Sequence, residues 1–146
     1  SLRDGTSKMS KSDTSDATRI NLTDSVDDIA QKIRRARTDP EALPSEVEGL
    51  ADRPEARNLV GIFSGLSGRT ESHILAEFGG QGFGVFKTAL AELAVNVISP
   101  ISQKMNQLLA EPDEIDKLLA SGAEQAYAIA GPVLEDVKKI IGLTPP

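Results

Sequence analysis

The chain has 146 residues, 39% apolar and 26% charged, enough for one domain with a real core and too apolar for a disordered chain. It holds no cysteine and a single histidine, which excludes disulfides and thiolate metal centres and makes a protein-held zinc site unfavourable. The net charge of −6 opposes broad attraction to nucleic acid, yet residues 1–37 carry eight Lys or Arg against six Asp while residues 38–146 carry eight against sixteen acids.

The opening "SLRDGT" contains an Asp4-Gly5 turn signal and reads as the end of a strand or hairpin. A chain beginning at Ser1 rather than Met reads as a fragment, a processed chain or a trimmed one. Residues 7–23 have no helical or strand period and are expected to be a loop. Within them Arg19 to Leu22 could run extended and deliver Ile20 and Leu22 to the core. The first helix is expected from Ser25 to Arg37, with Asp24 as N-cap and Asp27 and Asp28 at the positive end of its dipole. Val26, Ile29, Ala30 and Ile33 have the spacing of one buried face. Lys32, Arg34, Arg35 and Arg37 crowd its last turns, where the dipole favours cations.

Residues 38–53 form a Pro-containing acidic connection. The second helix is expected over Pro54–Leu66, with Pro in the first turn, Leu59, Val60, Phe63 and Leu66 inward, and Gly65 and Gly68 marking its end. Thr70 caps a third helix that buries Ile74, Leu75 and Phe78 and stops at Gly79-Gly80. "GGQGFG" (79–84) is glycine-dense, but no strand precedes it and no Lys-Ser/Thr follows, so it reads as a close turn between helices rather than a phosphate loop.

The fourth helix is expected from Gly84 to Ala110, with a stripe of Phe86, Leu90, Leu93, Ala94, Val97, Ile101, Met105 and Leu108 and a kink at Pro100. A short helix over Pro112–Ala120 should stop near Gly122. A last helix over Ala123–Ile141, bent at Gly131-Pro132, should bury Ala126, Ile129, Ala130, Val133, Val137 and Ile140 and end at Gly142 and Pro145-Pro146. Ala126 and Ala130 suggest close helix packing, and Met105 reads as core filler. Aromatic residues are only 3%, so the core is expected to be Leu, Ile, Val and Ala. The fold class is all-α, a bundle of five to six helices behind an opening loop. No apolar run reaches bilayer-spanning length, no charged-then-apolar leader stands at the start, and the absence of cysteine fits a reducing, cytoplasmic setting.

Chemistry concentrates in "KMSKSD" (8–13). Lys8 and Lys11 are compact ammonium groups three residues apart that can turn toward one polyanion. Ser10 and Ser12 can add hydroxyl or amide donors, and Met9 can anchor the loop on an apolar surface. A solvated basic loop is the plain alternative. His73, early in a helix, reads as exposed rather than catalytic.

The string "KMSKS", followed by "RINLTDSVDDIAQKIRRARTDP", "NLVGIFSGLSG" and "GGQGFGVFKTALAEL", resembles the second ATP-binding signature and the C-terminal part of the bacterial tryptophanyl branch of the class I aminoacyl-tRNA synthetases. The resemblance covers essentially the whole chain. It implies a parent with a Rossmann domain binding ATP and tryptophan, where the tryptophan carboxylate attacks the α-phosphate and pyrophosphate leaves with Mg²⁺ assisting. Lys8, Met9, Ser10, Lys11 and Ser12 then match the loop over the β- and γ-phosphates, with Lys8 and Lys11 in the catalytic role. It further implies residues 1–23 as signature loop and remnant of the catalytic domain, residues 24–146 as a helical domain at the tRNA anticodon end, tRNA(Trp) as partner, a homodimeric parent and no membrane. Arg35, Arg37 and Lys104 are the candidate tRNA contacts. The HIGH-like first motif and the tryptophan pocket have no counterpart here, so the chain alone is expected to be inactive. The competing hypothesis is a non-catalytic helical binding or assembly module with an incidental basic loop.

Overall fold

The computed structural model describes residues 1–143. Among them regular structure is entirely helical: α1 (Val26–Arg34), α2 (Pro54–Ser67), α3 (Glu71–Phe78), α4 (Phe83–Ala110) and α5 (Pro112–Ile140), with 3-10 turns at Asp16–Thr18 and Val47–Leu50. The fold class expected from the sequence is therefore met. The chain divides into two compact units, Ser1–Met105 and Asn106–Pro146, with the boundary inside α4.

The first unit holds almost all of the core. Ile29 and Ile33 of α1 are fully buried, as are Leu59 and Val60 of α2 and Ile74 and Leu75 of α3, against Phe86, Leu90, Ala91 and Ala94 of α4. All four phenylalanines of the chain lie in this core. Phe63, Phe78 and Phe86 form a triangle with centroid separations of 5.6, 5.6 and 5.3 Å, and Phe83 meets Phe86 edge-on. The rest of the core is Leu, Ile, Val and Ala, as expected from the low aromatic fraction, but packing gathers the few rings at one point.

The start of α1 differs from expectation. Ser25, not Asp24, is the N-cap, in a capping box where the Ser25 hydroxyl accepts from the Asp28 amide and Asp28 accepts from the Ser25 amide. Asp24 instead binds the Asn21 amide and the Lys32 ammonium. The helix also ends three residues early, at Arg34, because the Arg37 amide donates to the Leu2 carbonyl at 2.8 Å. Cations reach its last carbonyls: Arg3 donates to Arg35 and Lys87 to Ala36, both at 2.7 Å, which complements the negative helix end. Val26 and Leu22, both expected inward, are exposed, while Ile20 packs against the core.

Helices α2 and α3 follow their signals. Gly68 closes α2 in the left-handed region at φ 71°, and the Thr70 hydroxyl accepts from the His73 amide to open α3; His73 is exposed. "GGQGFG" is a turn where backbones meet: Gly80 donates to Leu43, and Leu43 to Gln81. A Cβ on Gly79 would lie 2.6 Å from the Ser45 Cα. In the 38–53 connection Arg53 grips both carboxylate oxygens of Asp39 and the carbonyls of Glu41 and Ala42, and stands over the Phe83 ring.

Helix α4 runs through Pro100. Contrary to the sequence reading, it is long and apolar enough to cross a bilayer by length and composition. Only its first part is buried in the core, through Phe83, Phe86, Leu90, Ala91 and Ala94. Further along, Val97, Ile101 and Met105 are exposed rather than inward.

The second unit departs most from expectation. The short helix and the last helix are one helix, α5. Gly122 does not stop it, because without a left-handed residue the intrahelical ladder simply continues; Pro132 is accommodated inside it at the cost of one hydrogen bond. Ala126, Ile129, Ala130, Val133, Val137 and Ile140 are exposed, not buried. The end does follow its signal: Gly142 has φ 76° and the Leu143 amide returns to the Lys138 carbonyl. Pro145 and Pro146 lie outside the described residues.

Candidate functional site

The opening segment is fastened to the first unit at both feet. Leu2 is buried and its amide donates to the carbonyl of buried Thr18 at 2.9 Å. Its carbonyl accepts from Arg37, and Asn58 of α2 donates to the Ser1 carbonyl. Residues 3–17 therefore leave and return at one point, the geometry of an Ω-loop. They are not the end of a strand; the Asp4-Gly5 turn is present, with the Ser7 amide bonded to the Asp4 carbonyl. The Asp4 carboxylate accepts from the Ser7 and Thr6 hydroxyls and the Thr6 amide. These bonds hold its pKa down to about 2. Gly5 is pressed onto the Pro54–Glu55 backbone at the start of α2, leaving no room for a Cβ.

The signature residues lie on the outer part of this loop. Lys8, Met9, Lys11 and Ser12 are exposed and Ser10 is partly covered. Among the described residues neither lysine has a hydrogen-bond or ion-pair partner. The Ser10 and Ser12 hydroxyls are 3.0 Å apart, and the Asp13 amide donates to the Ser10 carbonyl. Met9, expected to anchor the loop, is 37% exposed and does not serve as an anchor in this unit.

The anchor is Arg19. Its Nη1 donates to the carbonyls of Asp13 at 3.0 Å and Ser15 at 3.3 Å, with a longer contact to Ser10 at 3.5 Å. Its Nε donates to Asn21 Oδ1 at 3.0 Å, and its Nη2 pairs with Asp16 at 3.2 Å. Asp16 also pairs with Lys32 of α1 at 2.6 Å, and Lys32 pairs with Asp24 at 2.6 Å. Hydrogen bonds from Lys32 and Asn21 hold the Asp16 carboxyl below its usual range. For Lys32, burial works to lower the pKa, but the bonds to Asp16 and Asp24 outweigh it and the value is raised. Sequence reasoning missed Arg19 and Lys32. The only available signal was two cations among closely spaced Asp and Asn residues, with no period to pair them.

Of the cations considered for nucleic acid, Arg35 is exposed and Arg37 pairs with Glu55 at 3.3 Å; Lys104 is exposed on α4. No group of three or more His, Asp or Glu that could hold a metal ion exists among the described residues. An open depression of about 490 Å³ beside α2 is lined by Gly5, Pro54, Arg57, Asn58 and Glu71 and includes neither signature lysine.

Residues 1–99 match the model of the tRNA synthetases class I (W and Y) family, and the matched segment contains the whole loop and its anchor. The chain belongs to the class I tRNA synthetases (W and Y). Within that family it is similar to the tryptophan–tRNA ligases of Agrobacterium fabrum, 58% identical over 97% of this chain, and Caulobacter vibrioides, 57% identical over 97%. The chain spans about two fifths of the length of these relatives. Its fold is similar to the tryptophanyl-tRNA synthetase crystal structure from Mycoplasma pneumoniae, with a TM-score of 0.72 and 27% identity over 99% of this chain and 45% of that one. These class I relatives favour the synthetase reading over an unrelated helical assembly module.

Proposed function

We propose that the chain is the C-terminal part of an ATP-dependent tryptophan–tRNA ligase, which activates tryptophan as its adenylate and transfers it to tRNA(Trp). The observation that carries the proposal is the pair of exposed, unpaired ammonium groups of Lys8 and Lys11 on a loop whose feet are fastened to the core. A fastened base with free cations at its outer part suits a loop that closes on the β- and γ-phosphates of ATP. Lys11 stabilises negative charge gathering on the departing pyrophosphate, and Lys8, Ser10 and Ser12 hold the same oxygens. Met9 packs on the nucleotide-binding domain of the parent. The loop offers cations and hydroxyls rather than a ligand set for a metal, and Mg²⁺ bound by the parent enzyme would add positive charge at the triphosphate beside Lys8 and Lys11.

Residues 1–23 are assigned to the nucleotide site and residues 24–146 to the helical part near the tRNA anticodon end, with Arg35, Arg37 and Lys104 as contact candidates. The parent is a cytoplasmic homodimer. Adenine, the α-phosphate and the tryptophan side chain need groups outside this chain, so the chain alone has no activation activity.

The test is ATP–pyrophosphate exchange by the full-length ligase. Lys11→Ala lowers kcat on the order of 10²–10³-fold, as for other lost transition-state donors, with secondary structure unchanged. Unchanged exchange removes the loop from the mechanism.

A further inference from the structure

Arg19 lies outside the signature, yet it is bonded to that loop more extensively than any other side chain. Its side chain is 17% exposed, and all three of its guanidinium nitrogens are engaged. Three loop carbonyls, at Ser10, Asp13 and Ser15, point at one Nη1. A carbonyl oxygen carries partial negative charge and repels phosphate. A loop that receives a polyanion must turn its carbonyls elsewhere, and a partly covered guanidinium is a sink that does so with a fixed planar fork. The fork is itself oriented by Asn21 and by Asp16. Asp16 is tied through Lys32 to α1, whose Ile29 and Ile33 are fully buried. A continuous set of charge-assisted bonds therefore runs from the core, through Lys32, Asp16 and Arg19, to the backbone of the signature loop.

We propose that Arg19 is the positioning residue of the signature loop, holding its carbonyls inward so that Lys8 and Lys11 meet the triphosphate in one geometry. The function of this latch rests on the reading of the loop as an ATP grip. Arg19 touches no substrate; it acts through the backbone of residues 10–15. Truncation leaves the lysines present but disordered in position, which lowers the rate of the step they assist more than it lowers binding of the amino acid.

Two measurements test this. The first is amide hydrogen exchange of this chain. Arg19→Ala speeds exchange at residues 10–15 roughly 10-fold or more while α2 and α3 amides are unchanged. The second is ATP–pyrophosphate exchange by the full-length ligase, where Arg19→Ala lowers kcat on the order of 10–100-fold and leaves the KM for tryptophan unchanged. Arg19→Lys, which keeps the charge and loses the fork, gives an intermediate kcat and serves as the second variant should Arg19→Ala disturb the core. Wild-type loop exchange and kcat in both variants, alongside a Lys11→Ala enzyme that is slowed, overturn the positioning role alone. A Lys11→Ala enzyme with normal kcat overturns the ATP-grip reading itself, and with it any catalytic consequence of the latch.

Discussion

The Lys32 ammonium lies 2.6 Å from an Asp16 carboxylate oxygen, joining the buried face of α1 to the base of the signature loop. The same ammonium is 2.6 Å from Asp24, whose side chain is only 9% exposed. Lys32→Met removes both contacts and leaves Asp24 largely buried without its cation. It is expected to lower stability by about 1–3 kcal/mol, read from the shift of the urea midpoint. An equal midpoint in the variant refutes the load on this contact.

The pH dependence follows from the signs of the same shifts. Asp16 is held below 3.8 by Lys32 and Asn21, so its contribution is present above the ordinary carboxylate range and is lost as pH falls through its lowered value. Lys32 is raised above 10.5 by Asp16 and Asp24, against the effect of burial, so its contribution is present below the ordinary lysine range and is lost as pH rises through its raised value. Stability from this pair is expected to be flat between about pH 5 and 10 and to fall on both sides. In Lys32→Met the alkaline fall shrinks.

Asp4 titrates lower still, at about 2 rather than 3.8, through bonds from Ser7 and Thr6. Asp4→Asn is expected to be less stable than wild type at pH 7 and to lose most of that difference as pH falls from 3.8 to about 2, where half of the wild-type carboxylates are protonated. Thermal melts at pH 7 and pH 2 check it; a difference that persists in full at the acid end contradicts the assignment.

Phe86 is fully buried and meets three other rings. Phe86→Ala is expected to cost about 3–5 kcal/mol. By contrast Ile129 is 77% and Ile140 83% exposed, so Ile129→Ser and Ile140→Ser in this chain are expected to stay within about 0.5 kcal/mol of wild type. Denaturant unfolding of the three variants compares them, and a cost of several kcal/mol at either isoleucine would show that α5 is covered in solution.

Gly5 has no space for a Cβ because the α2 backbone at Pro54 and Glu55 fills it. Gly5→Ala must push the loop off α2 and is expected to destabilise by about 1–3 kcal/mol, with faster amide exchange in residues 3–17. Unchanged loop exchange would mean that this contact is not holding the loop base.

Sequence alone specified the all-helical class, the inward faces of α2 and α3, Ile29 and Ile33 of α1, and the caps at Thr70 and Gly68. These are local matters: apolar period and cap chemistry specify them within a few residues. Long-range contacts set the end of α1 at Arg34, since Leu2 takes the Arg37 amide, and made Arg19 rather than Met9 the residue bonded to the loop in this unit. Sequence period also could not distinguish the buried stripe of α4 from the exposed one of α5, because burial depends on what lies opposite a face and not on the face itself. Partners distant in the chain made these choices, and their contacts leave no periodic trace in the sequence.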